Sequence, residues 1–337
     1  MSDYSICIEG MDYYTIIECD MYKEVNQHGY IILNGYLKKN FDSEMRAFIE
    51  GGNPLTVKGL NYKNEECNVF TGLVDGYEVR HFNKYDELEI KLCSHSKVMD
   101  LERNNRVFQN EGQSFDGIIS YINSNHGAQT INNGVNGSVG HMSVQYNETD
   151  WEYIKRLVSE KNSFLIPSYE KINYCAYYIG IPQSKSKVIT SSGYRKGKDV
   201  ESYQFKKENG LDVSLEDEEF YYVESQDIFE IGSSVIFPES KLPLYIYKVT
   251  SKLIGSVLVS TYLLKSKKGF LAVPKKNYNI IGASITATVD SVTNDKLKVT
   301  MNCDGIQGSG KLFEFATVYS SNDNTGWYCM PEVNDTV

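Results

Sequence analysis

The sequence predicts a mainly β protein with an α+β insert, and three observations carry that prediction. Short β-rich segments set apart by turn residues fill the first hundred residues and return after residue 200. Between them lie two stretches, 114–122 and 149–158, whose apolar residues recur at helical spacing. The aromatic content is lopsided, with 26 Tyr against 2 Trp. Tyrosine suits a half-buried strand, where the ring packs and the hydroxyl stays wet. At 337 residues the chain exceeds what one core usually serves, so two to four domains are expected.

In order, strands are expected at 13–19, 30–33, 55–57, 68–72, 77–79 and 88–92. One helix interrupts them at 42–49, stopped by Gly51 and Gly52. A β-barrel carrying one helix is the economical reading. Ser114 then caps a helix whose apolar residues Phe115, Ile118, Ile119 and Ile122 share a face. Residues 123–140 read as loop, and a hairpin of 164–166 with 174–179 closes the α+β unit near Gly180. Residues 184–198, rich in Ser, Lys and Gly, read as a linker. Strands return at 202–205, 220–223, 235–237, 244–249 and 257–262, with the acidic run 216–219 as a solvated turn. A faint echo relates Tyr77, Val79 and the strand 88–92 to Tyr247, Val249 and the strand 257–262, although any two hairpins could look this alike. The last sixty residues read as strands at 284–289, 296–301, 313–318 and 327–331, with a turn at 293–295.

The most informative stretch runs from Gln145 to Leu157. Thr149 is an N-cap, and Glu152 three residues on completes a capping box. Asp150 places negative charge at the positive end of the helix. Glu152 and Arg156 stand four apart in the favourable order. Trp151, Ile154, Leu157 and Val158 form an apolar stripe, and Asn162 is a left-handed stop. None of this requires a function beyond a well-anchored helix.

The residue types Gln145, Tyr146, Glu148, Thr149, Asp150, Trp151, Arg156 and Leu157, followed by the apolar strand 164–167, resemble the signature of the baseplate hub proteins of contractile injection machines. That family includes the phage late-control D proteins and VgrG spike proteins. Residues 282–289, Asp304 with Gln307, and 326–332 resemble the OB-type barrel that follows the hub in the same family. The resemblance implies two tube-protein-like β-barrels per chain, at 1–105 and 184–275, with some later strands completing the first. An α+β insert at 106–183 separates them, and an OB-like spike base occupies 276–337. Asn334-Asp335 stands where the family has Gly-Asp, and the chain stops at Val337, so this last barrel is expected to lack closing strands and to belong to a longer product. The implied assembly is a homotrimer that joins a hexameric tube or tube initiator to a spike or spike-tip protein, among other baseplate proteins. The eight motif residues are then structural, and catalytic, metal and cofactor sites are not expected.

Chemistry elsewhere in the chain is weighed the same way. A net charge of −10 argues against binding a phosphate backbone. Residues 305–312 nearly spell a phosphate-binding loop, but Leu312 stands where a metal-binding Ser/Thr is needed and a strand is expected to follow. Cys93 and His95 would share one face of a strand, a metal-compatible pair that lacks a second pair of ligands. Seven widely spaced cysteines without a Cys-x-x-Cys read as reduced thiols. Neither a signal peptide nor a membrane-spanning run is evident, so the product is expected to be made in the cytoplasm and assembled into a phage tail, bacteriocin or secretion particle. The competing reading is an OB-containing module that binds oligosaccharide or single-stranded nucleic acid.

Overall fold

The computed structural model describes residues 6–60, 65–170, 174–191, 193–303, 305, 311–315 and 329–337. The chain begins with β1 (Ile6–Ile8), β2 (Tyr14–Glu24), β3 (Tyr30–Leu37), α1 (Ser43–Glu50), β4 (Leu55–Leu60), β5 (Glu66–His81) and β6 (Asp86–Cys93). There follow β7 (Arg103–Phe108), α2 (Phe115–Ser124), β8 (Gln129–Asn132), β9 (Ser143–Thr149), α3 (Asp150–Ser159), β10 (Leu165–Pro167) and β11 (Ala176–Ile179). Next come β12 (Lys187–Val188), β13 (Tyr194–Lys198), α4 (Val200–Glu208), β14 (Glu219–Ser225), β15 (Ser234–Ile236), β16 (Leu244–Ile254) and β17 (Val257–Ser266). The last strands are β18 (Ala287–Thr293), β19 (Lys296–Met301) and β20 (Leu312–Glu314). The described residues form two units, one from 1–99, 123–135 and 158–275, the other from 100–122, 136–157 and 276–337.

The first unit contains the same topology twice. Strands β1 to β6 pair in the order β1-β4-β5-β6-β3-β2, and β12 to β17 pair in the order β12-β15-β16-β17-β14-β13. The second set repeats the connectivity of the first, strand for strand. Details agree as well. Ile31 and Leu33 of β3 face Leu92 and Ile90 of β6, while Tyr221 and Val223 of β14 face Leu264 and Tyr262 of β17. All eight side chains are buried. Each β5–β6-type hairpin bulges at the same step, between Val74 and Gly76 in one and between Ile246 and Lys248 in the other. The bulges align Tyr77 with Val249 and the ladders align Leu88 with Ser260, so the echo seen in the sequence marks the right hairpins but sits two residues out of register in the first strand and three in the second. One detail breaks the match: β1 runs antiparallel to β4, whereas β12 runs parallel to β15.

Alternation explains why these segments are strands. β6 buries Asp86, Leu88, Ile90 and Leu92 and turns the intervening residues toward partial exposure. Each buried aliphatic contributes about 1.5–3 kcal/mol, and strand pairing supplies the register that keeps all of them on one face. β5 is one long strand where two were expected. Its first part pairs β4 and the rest pairs β6, and the switch falls at Gly72, where a Cβ would run into the Cys93 carbonyl. The two sets meet where β2 pairs β16, so the strand order is an open path that ends at β1 and β13, and no closed barrel occurs among the described residues.

Several expectations are corrected. Residues 202–205 are helical, in α4, because Asp199 caps the helix by accepting the Ser202 amide at 2.9 Å and Asn209-Gly210 ends it. The segment 184–198 is not plain linker, since β13 pairs β14 over its whole length and β12 pairs β15. Residues 129–132, read as loop, form β8 beside β11. The acidic run is not simply solvated: Glu218 is fully buried and receives the Lys206 ammonium at 2.6 Å and the Ser202 hydroxyl at 3.0 Å. Cys93 ends β6 and His95 opens a short 3-10 turn, so the two do not share a strand.

Other readings agree. α1 starts at the Asp42 cap, the β10–β11 hairpin forms, and β19 covers 296–301. Asn26, in a left-handed turn after β2, exchanges hydrogen bonds of 2.8 and 2.9 Å with the Leu165 backbone. That exchange fastens β10 to the β2–β3 turn. In the second unit, β7 pairs β9, and β18, β19 and β20 form a three-stranded sheet over Ala287, Val289, Leu297 and Val299. The backbone of 334–337 hydrogen-bonds alongside β18 at Ala287 and Val289. Leu312 starts a strand, as expected of a segment that is not a phosphate-binding loop, while Asp304, Gln307 and residues 326–328 lie outside the described residues.

Candidate functional site

The motif residues converge on the start of α3, within the second unit. The chain leaves β9 at Thr149 and turns directly into the helix. Thr149 Oγ1 accepts the Glu152 amide at 3.1 Å, and Glu152 Oε2 accepts the Thr149 amide at 3.0 Å, a reciprocal capping box. The Thr149 hydroxyl also donates to Asp100. Trp151, Ile154, Leu157 and Val158 are buried, and Asn162 takes the left-handed φ of 55° expected of a stop.

The charged residues form a network that sequence spacing did not reveal. Arg156 grips Glu148 with two parallel hydrogen bonds of 2.7 Å and donates a third, of 2.6 Å, to the Val144 carbonyl. Glu152, expected to pair with Arg156, is instead bridged by Arg103 at 3.1 Å. Arg103 also donates to the Asn147 carbonyl at 2.6 Å, where Asn147 adopts a positive φ. Asp150 is held by Arg106, by Gln145 Nε2 at 2.8 Å and by Asn104 Nδ2 at 3.3 Å. Gln145 has no exposure; its carboxamide accepts from Arg106 at 2.9 Å and donates to the Glu148 carbonyl at 3.1 Å. Tyr146 is half-buried, and its carbonyl accepts the Asn277 side chain at 2.8 Å. The structure thus brings Gln145, Glu148, Thr149, Asp150 and Arg156 into one lattice, with Trp151 and Leu157 beneath it. Asp100, Arg103, Asn104 and Arg106 complete the lattice and were missed. Their signal in the sequence is weak, two arginines three apart in a polar strand, because their partners lie 39 to 49 residues away.

This arrangement braces a β-strand against a helix start. Its carboxylates are engaged by guanidinium, amide or hydroxyl donors, a pattern of structural ion pairs in which each charge offsets the desolvation of another. Among the described residues, no group of three or more His, Cys, Asp or Glu is placed to hold a metal.

A second polar cluster lies in the first unit. Lys23 on β2 is buried, donating to Glu230 at 2.8 Å and to the Val69 carbonyl at 2.7 Å, with its ammonium 4.6 Å from the centre of the Tyr169 ring. Burial pushes the Glu230 carboxyl above its ordinary range, while Lys23 pulls it back. A cavity of about 210 Å³ beside it is lined by Tyr169, Glu170, Glu230 and Ser233, and burial holds the Tyr169 hydroxyl well above the usual phenol range. Lys23 ties β2 to the segment just before β15, across the two halves of the repeat.

Comparison with known proteins agrees with this picture. Residues 51–166 match the model of the phage tail baseplate hub family. Over 92% of both chains, the fold resembles the Escherichia coli c3393 protein, described as a component of the type VI secretion system with structural similarity to the T4 tail proteins gp27 and gp5, at TM-score 0.66 and 12% identity. It resembles a 43 kDa prophage MuSo2 tail protein from Shewanella oneidensis over 78% of this chain and 98% of that one, at TM-score 0.56 and 13% identity. It also resembles a chain of the Francisella PdpA–VgrG complex over 96% of this chain and 72% of that one, at TM-score 0.55 and 12% identity. No curated protein matches the sequence.

Proposed function

We propose that this chain, a relative of the phage tail baseplate hub family through residues 51–166, is a structural hub that assembles as a trimer between a tube and a spike. The observation that carries the reading is the duplicated topology of the first unit. A chain that presents one fold twice lets three copies present it six times, so a threefold assembly can face a sixfold one. Each half is read as one tube-like fold, roughly 1–105 and 184–275, and residues 276–337 as the base of the spike. The likeness to a type VI component and to prophage tail proteins supports a tail or secretion particle as the setting.

Function here is mechanical. Interface area and symmetry matching do the work, and the ion-pair lattice around α3 keeps its strand and helix in fixed register. Electron-microscopic class averages of the purified chain test the reading. Rings with threefold symmetry and six similar lobes are expected, and isolated asymmetric particles would refute it.

A further inference from the structure

The two halves of the repeat differ at one connection. Between β3 and β4 the chain builds α1, which buries Met45 and Ile49. Between β14 and β15, the matching place, it makes only the loop 226–233. Phe229 and Ile231 of that loop are buried, and so is the charged side chain of Asp227, at 6% exposure.

Asp227 is held from several sides. Its Oδ2 accepts the Thr190 amide at 3.1 Å and the Ser225 hydroxyl at 3.1 Å. Its own amide donates to Ser225 Oγ at 3.1 Å, and its carbonyl accepts the buried Tyr262 hydroxyl at 2.6 Å. These contacts fix the carboxylate, yet none of the donors is charged. Among the described residues no lysine, arginine or histidine pairs with it, and Oδ1 has no hydrogen-bond partner. A buried carboxylate without a counter-charge is costly, so one held this firmly implies a cation that the chain itself does not supply.

Space for that cation adjoins it. Asp227 lines a cavity of about 270 Å³ with Thr190, Ser191, Glu224, Ser225 and Gln226. Every polar side chain there can offer oxygen, and no cationic side chain lines the cavity among the described residues. Histidine and cysteine, the ligands of softer metals, are likewise not among them. Only two of the donors are carboxylates, so neutral oxygens and water make up most of the shell. Such a set suits Ca²⁺, which accepts about six to eight oxygens in flexible geometry, better than Mg²⁺, which demands a tight octahedron.

We propose that this cavity is a Ca²⁺ site, with Asp227 Oδ1 as its anchor, Glu224 as the second carboxylate, and oxygens of Gln226, Thr190 and water completing the shell. The ion bridges the segment before β13 to the end of β14 and steadies the loop that stands in for α1. Thr190 already joins that segment to Asp227 through its amide, so the ion tightens an existing contact. One copy of the chain builds the whole site, which therefore does not rest on the trimer proposed above.

Calorimetric titration of the chelator-treated full chain with CaCl₂ tests this. One ion per chain is expected, with Kd on the order of 0.1–1 mM, the range of extracellular Ca²⁺ modules. Mg²⁺ should bind more weakly, and saturating Ca²⁺ should raise the thermal midpoint. Tb³⁺ reports the place, because Tyr262, hydrogen-bonded to the Asp227 carbonyl, can sensitise its luminescence and Ca²⁺ should displace it. Asp227→Asn and Glu224→Gln should each weaken binding at least about tenfold and abolish the rise in midpoint. Asp20→Asn, at an exposed carboxylate on β2, should change neither. Circular dichroism checks that each variant folds; Glu224 is exposed, so Glu224→Gln carries the test if Asp227→Asn does not fold. No saturable binding up to about 10 mM Ca²⁺, well above that range, would overturn the site. So would binding that survives both substitutions, or Mg²⁺ bound as tightly as Ca²⁺.

Discussion

Replacing Glu148 and Arg156 together should cost little more than replacing either one alone. Their side chains are only 9% and 12% exposed, and two hydrogen bonds of 2.7 Å join them. Removing one partner of a buried pair leaves an uncompensated charge, which costs about 3–5 kcal/mol. Partial exposure and the surviving bond from Arg156 to the Val144 carbonyl put Glu148→Gln near the low end, about 3 kcal/mol. Arg156→Met should cost a similar amount, because Glu148 then keeps its charge in the same place. The double variant loses the bonds but buries no lone charge, so the two changes should be non-additive by about 2–3 kcal/mol. Trp151, buried at the start of the same helix, reports the transition by fluorescence during urea unfolding once Trp327 is replaced by Phe. If the two costs simply add, to within about 0.5 kcal/mol, the pair is not coupled and the lattice account fails.

Thr149→Ala removes the acceptor for the Glu152 amide and should cost about 0.5–2 kcal/mol in the same assay, with Thr149→Ser recovering most of it. Gly72→Ala sets a methyl against the Cys93 carbonyl where β5 changes partners, and should lower stability by about 1–3 kcal/mol; an unchanged urea midpoint would contradict the crossing geometry. Asp86 accepts the Phe41 amide at 2.7 Å and sits 2.9 Å from His81 Nδ1, contacts that hold its carboxyl below the ordinary range. A carboxyl lowered by folding stabilises above its unfolded pKa and ceases to as pH falls through the folded value, so stability should drop below about pH 4, and Asp86→Asn should flatten that drop.

Legibility in the sequence follows the range of the interactions. α3 could be read because its instructions are local: Thr149, Glu152 and Asn162 act within a turn or two of themselves. Its charge partners could not, since Arg103 and Arg106 arrive from β7 through the β7–β9 pairing. α4 misled because Tyr203 and Phe205 are strand formers, yet Phe205 is 56% exposed and the Asp199 cap decides the conformation. β13 has a linker's composition because an edge strand needs backbone partners more than apolar side chains. The repeat was nearly invisible for a related reason. Ile31 and Leu33 correspond to Tyr221 and Val223, so what is conserved between the halves is pairing order and bulge position rather than residue identity.

The mass of the intact chain in solution, by light scattering at micromolar concentration, tests the central claim most directly. A mass of three chains is what a duplicated fold needs to meet a sixfold tube. A stable monomer, or a closed dimer, would contradict it.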